Sequence, residues 1–227
     1  MLLILAGFLL LIKGADYFVS GSASFARKMG IPALIVGLTI ISIGTSAPEL
    51  FVNIIAATRG ATDLSVGNVL GSNFADILLG LGIAAIIVPL TLKSATVWKE
   101  IPFSLLAAMF ILVFGSDFLL DGILPNAITR IDGIALLGMF IIFLVYTFGV
   151  RKSGEQPQQH IEVLPTNKTV GYIAGGIVAL ALGGYITVEG AVGVASGLGL
   201  SENLIGLTIV AAGTSLPEII TAISAAR

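Results

Sequence analysis

Gly37-Leu38-Thr39-Ile40-Ile41-Ser42-Ile43-Gly44-Thr45-Ser46-Ala47-Pro48-Glu49 reads as a hydrophobic span interrupted by hydroxyls, a glycine, a proline and a carboxylate. Most of it returns 169 residues later as Gly206-Leu207-Thr208-Ile209-Val210-Ala211-Ala212-Gly213-Thr214-Ser215-Leu216-Pro217-Glu218. At that offset, positions 37–57 meet 206–226 without a gap and agree at twelve of 21 positions. Apolar segments match by chance easily, but joint identity at Gly, Thr, Ser, Pro and Glu is much harder to reach that way. A polar break placed twice in apolar helices predicts an ion site inside a membrane.

The break has a mechanical basis. Pro48 lacks an N–H, cannot bond the Gly44 carbonyl, and its ring pushes that carbonyl aside. Gly44 tolerates the distortion, and the carbonyls from Ser42 to Gly44 are expected to face a cavity. Pro217 stands in the same relation to Gly213, near Ala211. Thr45 and Ser46 precede Glu49 by four and three residues, a spacing that lets all three converge. Ser72 and Asp76 are four apart and share a helix face.

These residues offer carboxylate, hydroxyl and carbonyl oxygens. Hard cations such as Ca²⁺ take about 6–8 oxygen ligands. No imidazole or thiolate accompanies them, which argues against a dedicated Zn²⁺ or Cu⁺ site.

The rest of the chain agrees with a membrane setting. Apolar residues make up 56% and charged residues 11%, against roughly 45–50% and about 25% in soluble domains. Apolar runs long enough for a hydrocarbon core of about 30 Å recur throughout. The net charge of −2, with no basic run, gives no sign of a nucleic-acid partner. Zero cysteines exclude disulfides, thiolate metal sites and a cysteine nucleophile. The single histidine, His160, lies in the most polar stretch and reads as a solvated loop residue. Leu2–Ile12 carries no preceding positive residue and reads as the start of the first span rather than a signal peptide.

Seven spans are expected, at about 2–25, 33–57, 67–88, 101–119, 133–150, 170–195 and from 203 onward. In the first, Lys13 and Asp16 sit three apart and can pair, and Gly14, Ser20, Gly21, Ser22 and Ala23 make one side small enough for close helix packing. The segment 151–169 is the long polar one and reads as a linker between a first half, 1–150, and the start of a second, 170–227. Weaker matches at the same offset pair Gly14, Val19, Gly21, Ala26 and Gly30 with Gly183, Val188, Gly190, Ala195 and Gly199. The sixth span therefore repeats the first, and the seventh the second. Five spans separate equivalent points, so the second copy enters from the opposite face and sets the two breaks head to head.

Loop charge gives the orientation. Arg27, Lys28, Lys93, Lys99, Arg151, Lys152 and Lys168 share one side, and Arg59 and Arg130 the other. Seven against two places the first set in the cytoplasm and the N-terminus outside. Of the remaining polar residues, Asn68 and Asn73 fit either ion ligands or bridges between helices. Asn53 fits an interhelical hydrogen bond and Glu189 an interfacial position.

Gly44-Thr45-Ser46-Ala47-Pro48-Glu49, followed by Gly67-Asn68-Val69-Leu70-Gly71-Ser72-Asn73, resembles the first α-repeat of the sodium/calcium exchanger family, within the cation/Ca²⁺ antiporter superfamily. Gly213-Thr214-Ser215-Leu216-Pro217-Glu218 resembles the opening of its second α-repeat, and the resemblance is to prokaryotic-type members. It spans essentially the whole chain. It implies an all-α polytopic fold of ten helices in two inverted halves, with α-repeat 1 at about 33–88 and α-repeat 2 beginning at about 203–227. It implies a plasma (inner) membrane location, and exchange of Na⁺ for Ca²⁺ by alternating access with no permanently bound cofactor. Carried over, the ion-binding groups are Thr45, Ser46, Glu49, Ser72, Asp76 and the Ser42 carbonyl, with Thr214, Ser215, Glu218 and the Ala211 carbonyl. Glu49, Asp76, Glu218, Thr45 and Thr214 are the expected Ca²⁺ ligands. Gly44, Pro48, Gly213 and Pro217 are the helix breaks.

The sequence departs from that pattern by lacking the second Gly-Asn…Gly-Ser-Asn helix and the last three spans. Asp76 also occupies a position that is Asn in some members. The alternatives are H⁺- or K⁺-coupled exchange, and a fragment whose site a second chain completes. An intramembrane hydrolase is the weak third reading, since no spanning His or Lys stands beside these serines to activate one.

Overall fold

A computed structural model describes residues 1–31, 36, 40, 42–92, 94, 96–122, 126–150 and 163–226. The first break's opening at Gly37, Leu38, Thr39 and Ile41, most of the expected linker with Arg151, Lys152 and His160, and Lys93 lie outside the described residues. All elements within them are helical: α1 (Leu2–Lys28), α2 (Ser42–Thr45), α3 (Ala47–Thr58), α4 (Thr62–Ile87), α5 (Thr96–Phe114), α6 (Asp117–Asp121), α7 (Arg130–Val150), α8 (Thr166–Leu198), α9 (Glu202–Thr214) and α10 (Leu216–Ala225). Among the described residues four helices are long and apolar enough to cross a membrane, or five if the bent pair α9–α10 is one span. Expected boundaries moved outward in several places. The sixth span, expected at 170–195, starts at Thr166 and ends at Leu198.

Two compact units divide the chain, residues 1–89 with 157–227, and residues 90–156. The second holds α5, α6 and α7. Phe103 meets Phe143 and stacks on Tyr146, with ring centroids 5.9 Å apart in both pairs, and Lys99 lies over the Tyr146 ring. A capping box opens α7: the backbone N–H and the hydroxyl of Thr129 both donate to Asp132 Oδ2, at 2.7 and 2.6 Å.

The first unit is built on α1 and α8. Gly7, Gly14 and Gly21 of α1 recur every seven residues, as do Gly176, Gly183 and Gly190 of α8. A methyl group on Gly14 would stand 2.8 Å from the Leu180 N and 3.1 Å from the Gly176 carbonyl. One on Gly21 would meet the Ile173 N at 2.9 Å, and one on Gly7 the Gly183 carbonyl at 3.0 Å. As the α1 numbers rise the α8 numbers fall, so the two helices run antiparallel with backbones in contact. The Gly7–Gly183 approach becomes the Gly14–Gly176 approach under the 169-residue offset. The contact is therefore its own image under a local two-fold, as two inverted copies require. Glycine is needed because close packing of this kind drives helix association in lipid.

Polar groups clasp one end of the pair. The fully buried Ser24 hydroxyl accepts from the Leu164 N at 2.9 Å and lies 3.2 Å from the buried Thr169 hydroxyl. Lys28 Nζ donates to Thr166 Oγ1 at 3.0 Å. Gly30 and Gly199, equivalent in the repeat, follow α1 and α8 at φ 79° and 66°, a left-handed turn that other residues adopt at a cost.

Helices α4 and α9 form the second close pair, running parallel. A methyl on Gly206 would meet the Leu64 carbonyl at 2.5 Å and the Asn68 N at 3.1 Å. Gly67 and Gly71 press in the same way against Asn203 and Leu207. Antiparallel α1–α8 and parallel α4–α9 are the senses that the expected alternation of seven spans demands. The core of this unit gathers Ile4, Leu11, Val52, Leu64, Leu180, Val188, Ile205 and Val210, each at most 2% exposed. Large apolar side chains such as Leu2 (83% exposed) and Ile86 (87%) face outward, the arrangement of helices solvated by lipid rather than water.

Candidate functional site

Each break falls on a serine. Ser46 separates α2 from α3, and Ser215 separates α9 from α10 with a bend of 46°. Pro48 consequently sits in the first turn of α3, where its missing N–H costs nothing. The break expected at Gly44 to Pro48 falls at Ser46, and the proline begins the half-helix that follows it. The Leu50 N bonds the Ser46 carbonyl at 3.2 Å, and the Ile219 N bonds the Ser215 carbonyl at 3.0 Å. Glu49 and Glu218 thereby fall in the first turns of their half-helices, where the helix dipole favours negative charge. Gly44 backs onto Val19 and Gly213 onto Phe8, so both breaks abut α1 with no room for a side chain at either glycine.

Two π-helical stretches flank the breaks. Ala75–Leu81 of α4 contains Asp76, and Gly206–Val210 of α9 ends immediately before Ala211. Such stretches loosen the regular ladder and recur at functional positions.

The serines cross between repeats. Ser46 Oγ donates to Glu218 Oε1 at 3.0 Å, and Ser215 Oγ donates to Glu49 Oε1 at 3.4 Å. Thr45 also interacts with Glu218, Thr214 lies beside Glu49, and Ser215 reaches Asp76. Convergence of Thr45 and Ser46 on Glu49 within one repeat, expected from helical spacing, is therefore replaced by exchange with the opposite repeat. The break at Ser46 interrupts the helical register on which that spacing argument rests.

Asp76 lies within electrostatic reach of both glutamates. Glu49 Oε2, Asp76 Oδ1 and Glu218 Oε2 are buried without a hydrogen-bond partner among the described residues. Buried polar atoms are normally paired, so three such oxygens on carboxylates within electrostatic reach of one another call for a ligand or a function. Ser72 is buried, and its hydroxyl donates to the Asn68 carbonyl at 2.8 Å, which leaves oxygen lone pairs available. Ser42 opens α2 and Ala211, fully buried, follows the second π-helical stretch. Among the described residues no three His, Cys, Asp or Glu side chains gather closely enough to hold a metal ion by themselves. A cation here would draw on hydroxyl and carbonyl oxygens too.

The structure separates the two asparagines that the sequence left open. Asn68 is fully buried and bridges helices: its Nδ2 donates to Asn53 Oδ1 at 2.9 Å, and its Oδ1 accepts from Thr214 Oγ1 at 3.3 Å. Asn53 makes the interhelical bond expected of it. Asn73 is exposed and donates to the Val69 carbonyl of its own helix. Lys13 and Asp16 pair at 3.8 Å on an exposed face. Sequence reasoning missed that Glu189 pairs with Arg59 at 2.6 Å while the guanidinium covers the Tyr185 ring. No local spacing links residues 130 positions apart.

Two broken apolar helices, each placing a carboxylate against a hydroxyl of its repeat partner, define a multi-pass membrane protein of the ion-transporting class. The chain belongs to the sodium/calcium exchanger family, whose sequence model matches residues 1–149 and 168–227. It is similar to the inner membrane protein YrbG of Escherichia coli, at 35% identity over 235 residues that cover 99% of this chain and 70% of that one. It is 28% identical to the sodium/calcium exchanger MaX1 of Methanosarcina acetivorans, covering all of this chain and 74% of that protein. Among solved structures, the sodium-calcium exchanger NCX_Mj soaked with 10 mM Na⁺ and zero Ca²⁺ superposes with a TM-score of 0.56 at 30% identity, over 99% of this chain and 71% of that one.

Proposed function

We propose that this protein is a cation antiporter that exchanges Na⁺ for Ca²⁺ by alternating access. Its shared site uses Glu49, Asp76 and Glu218, the hydroxyls of Thr45, Ser46, Ser72, Thr214 and Ser215, and the carbonyls of Ser42 and Ala211. The observation that carries this reading is the reciprocal pairing of Ser46 with Glu218 and Ser215 with Glu49, each glutamate keeping one buried oxygen without a hydrogen-bond partner among the described residues. Carboxylates in that position are costly without a compensating cation. One Ca²⁺ or several Na⁺ supply the compensation, and the cost of an empty site couples occupancy to the change of access. The glycine-packed pair α1–α8 is the element suited to move, since α1 abuts both breaks. Family membership supports the cargo. The N-terminus lies outside and the linker, 151–169, in the cytoplasm, in keeping with the loop charge and with Lys28 meeting Thr166 at one end of the pair.

Radioactive Ca²⁺ uptake into proteoliposomes, driven by an outward Na⁺ gradient, tests the proposal. Uptake is expected in the wild type and is expected to vanish in Glu49→Gln while the variant still elutes as a folded protein. Wild-type exchange retained in Glu49→Gln would remove the site assignment. Uptake driven by a pH or K⁺ gradient in place of Na⁺ would correct the coupling ion.

A further inference from the structure

The Thr214 hydroxyl carries one proton and faces three oxygens. The Asn68 Oδ1 and the Ala211 carbonyl each lie 3.3 Å away, and the Glu49 carboxylate lies beside it. Where that proton goes decides what the site offers to a cation. If it points to Glu49, it occupies a carboxylate lone pair and turns a donor toward the ion. If it points to Ala211, it takes up a carbonyl that the site also uses. Only when it points to Asn68 do the Thr214 lone pairs, the Ala211 carbonyl and Glu49 all remain free to accept a positive charge.

We propose that Asn68 is a positioning residue that accepts the Thr214 proton when an ion is bound, and that Asn53 fixes Asn68 in the orientation that permits it. This rests on the cation-site reading above and deepens it. An amide presents either its oxygen or its nitrogen, and a flipped Asn68 would point donors at Thr214. The flip is set by Asn53, whose Oδ1 accepts from Asn68 Nδ2 at 2.9 Å and so leaves the Asn68 oxygen toward Thr214. Asn68 and Thr214 are both buried, so water does not substitute for the bond between them. Asn68 thus acts on the ion only through Thr214, and the chain of amides runs from α3 through α4 to the break of α9.

Equilibrium binding of radioactive Ca²⁺ to purified protein, independent of transport, gives the test. Asn68→Leu is expected to raise the Ca²⁺ dissociation constant about ten-fold, the scale of one lost hydrogen bond, and Asn53→Leu by a smaller factor. In a Thr214→Ser background, which keeps the hydroxyl, both effects are expected to persist. In a Thr214→Val background both are expected to disappear, a pattern that a purely structural asparagine would not produce. Equal weakening in the Ser and Val backgrounds overturns the inference, as does unchanged affinity in Asn68→Leu. Should Asn68→Leu fail to fold, the Asn53→Leu cycle decides alone. Loss of binding in Glu49→Gln with no effect at Asn68 would sink this inference and leave the site standing. Absence of ion binding by the wild type would sink both.

Discussion

Ser215 is fully buried and Ser46 is exposed, yet each donates to the other repeat's glutamate. If the site is a two-fold device, the two bonds do equivalent work despite that difference in burial. Ser215→Ala and Ser46→Ala are each expected to weaken Ca²⁺ binding by about ten-fold or more, since a hydrogen bond to a charged group contributes about 1.5–3 kcal/mol. A calorimetric titration in which one variant binds as the wild type and the other does not would mean that the repeats divide the ion unequally. The residues themselves were legible in the sequence, because Glu, Pro, Ser and Thr in apolar spans have few bland explanations. Their partners were not. Helical spacing assigned Ser46 to Glu49, and only the break at Ser46 and the inverted approach of the second repeat send it to Glu218. Asn68 was undecidable for the same reason: whether an amide binds an ion or orients a hydroxyl depends on Thr214, 146 positions away.

At the scale of elements, some glycines of α8 carry the α1 contact, Gly184 packs against α3, and others meet nothing within 4 Å. Gly175 and Gly176 are neighbours in sequence. A methyl on Gly176 would stand 2.6 Å from the Phe18 N and 2.8 Å from the Gly14 carbonyl, whereas one on Gly175 would meet nothing within 4 Å. Gly176→Ala is expected to push the helices apart and destabilise the protein by about 1–3 kcal/mol, the usual cost of overpacking. Gly175→Ala is expected to be neutral or stabilising by up to about 1 kcal/mol, because alanine loses less backbone freedom in a helix. Thermal unfolding in detergent separates the two, and equal melting temperatures would remove the seam from the account of stability. The sequence predicted one small side on the first span but placed it at residues 14 and 20–23. The full heptad of glycines emerges only when both helices are seen, since each glycine is explained by a backbone on the other.

For the whole molecule, antiparallel α1–α8 and parallel α4–α9 fix which ends lie on a common side, but helix packing alone does not say which side is outside. The proposed orientation takes that from loop charge, because Lys and Arg near span ends are generally retained on the cytoplasmic face. Met29, Asp63 and Ser201 are exposed at the ends of α1, α4 and α9. Alternation from an outside N-terminus puts Met29 in the cytoplasm and both Asp63 and Ser201 outside. The chain contains no cysteine, so single introduced thiols report without background. In intact cells a membrane-impermeant maleimide is expected to label Asp63→Cys and Ser201→Cys, and to label Met29→Cys only after the membrane is opened. The reverse pattern would keep the fold and overturn the orientation. Labelling of Asp63→Cys and Ser201→Cys from opposite sides would be more damaging. Those two positions stand at the starts of the parallel helices α4 and α9, so that result would break the inverted repeat on which the head-to-head site depends.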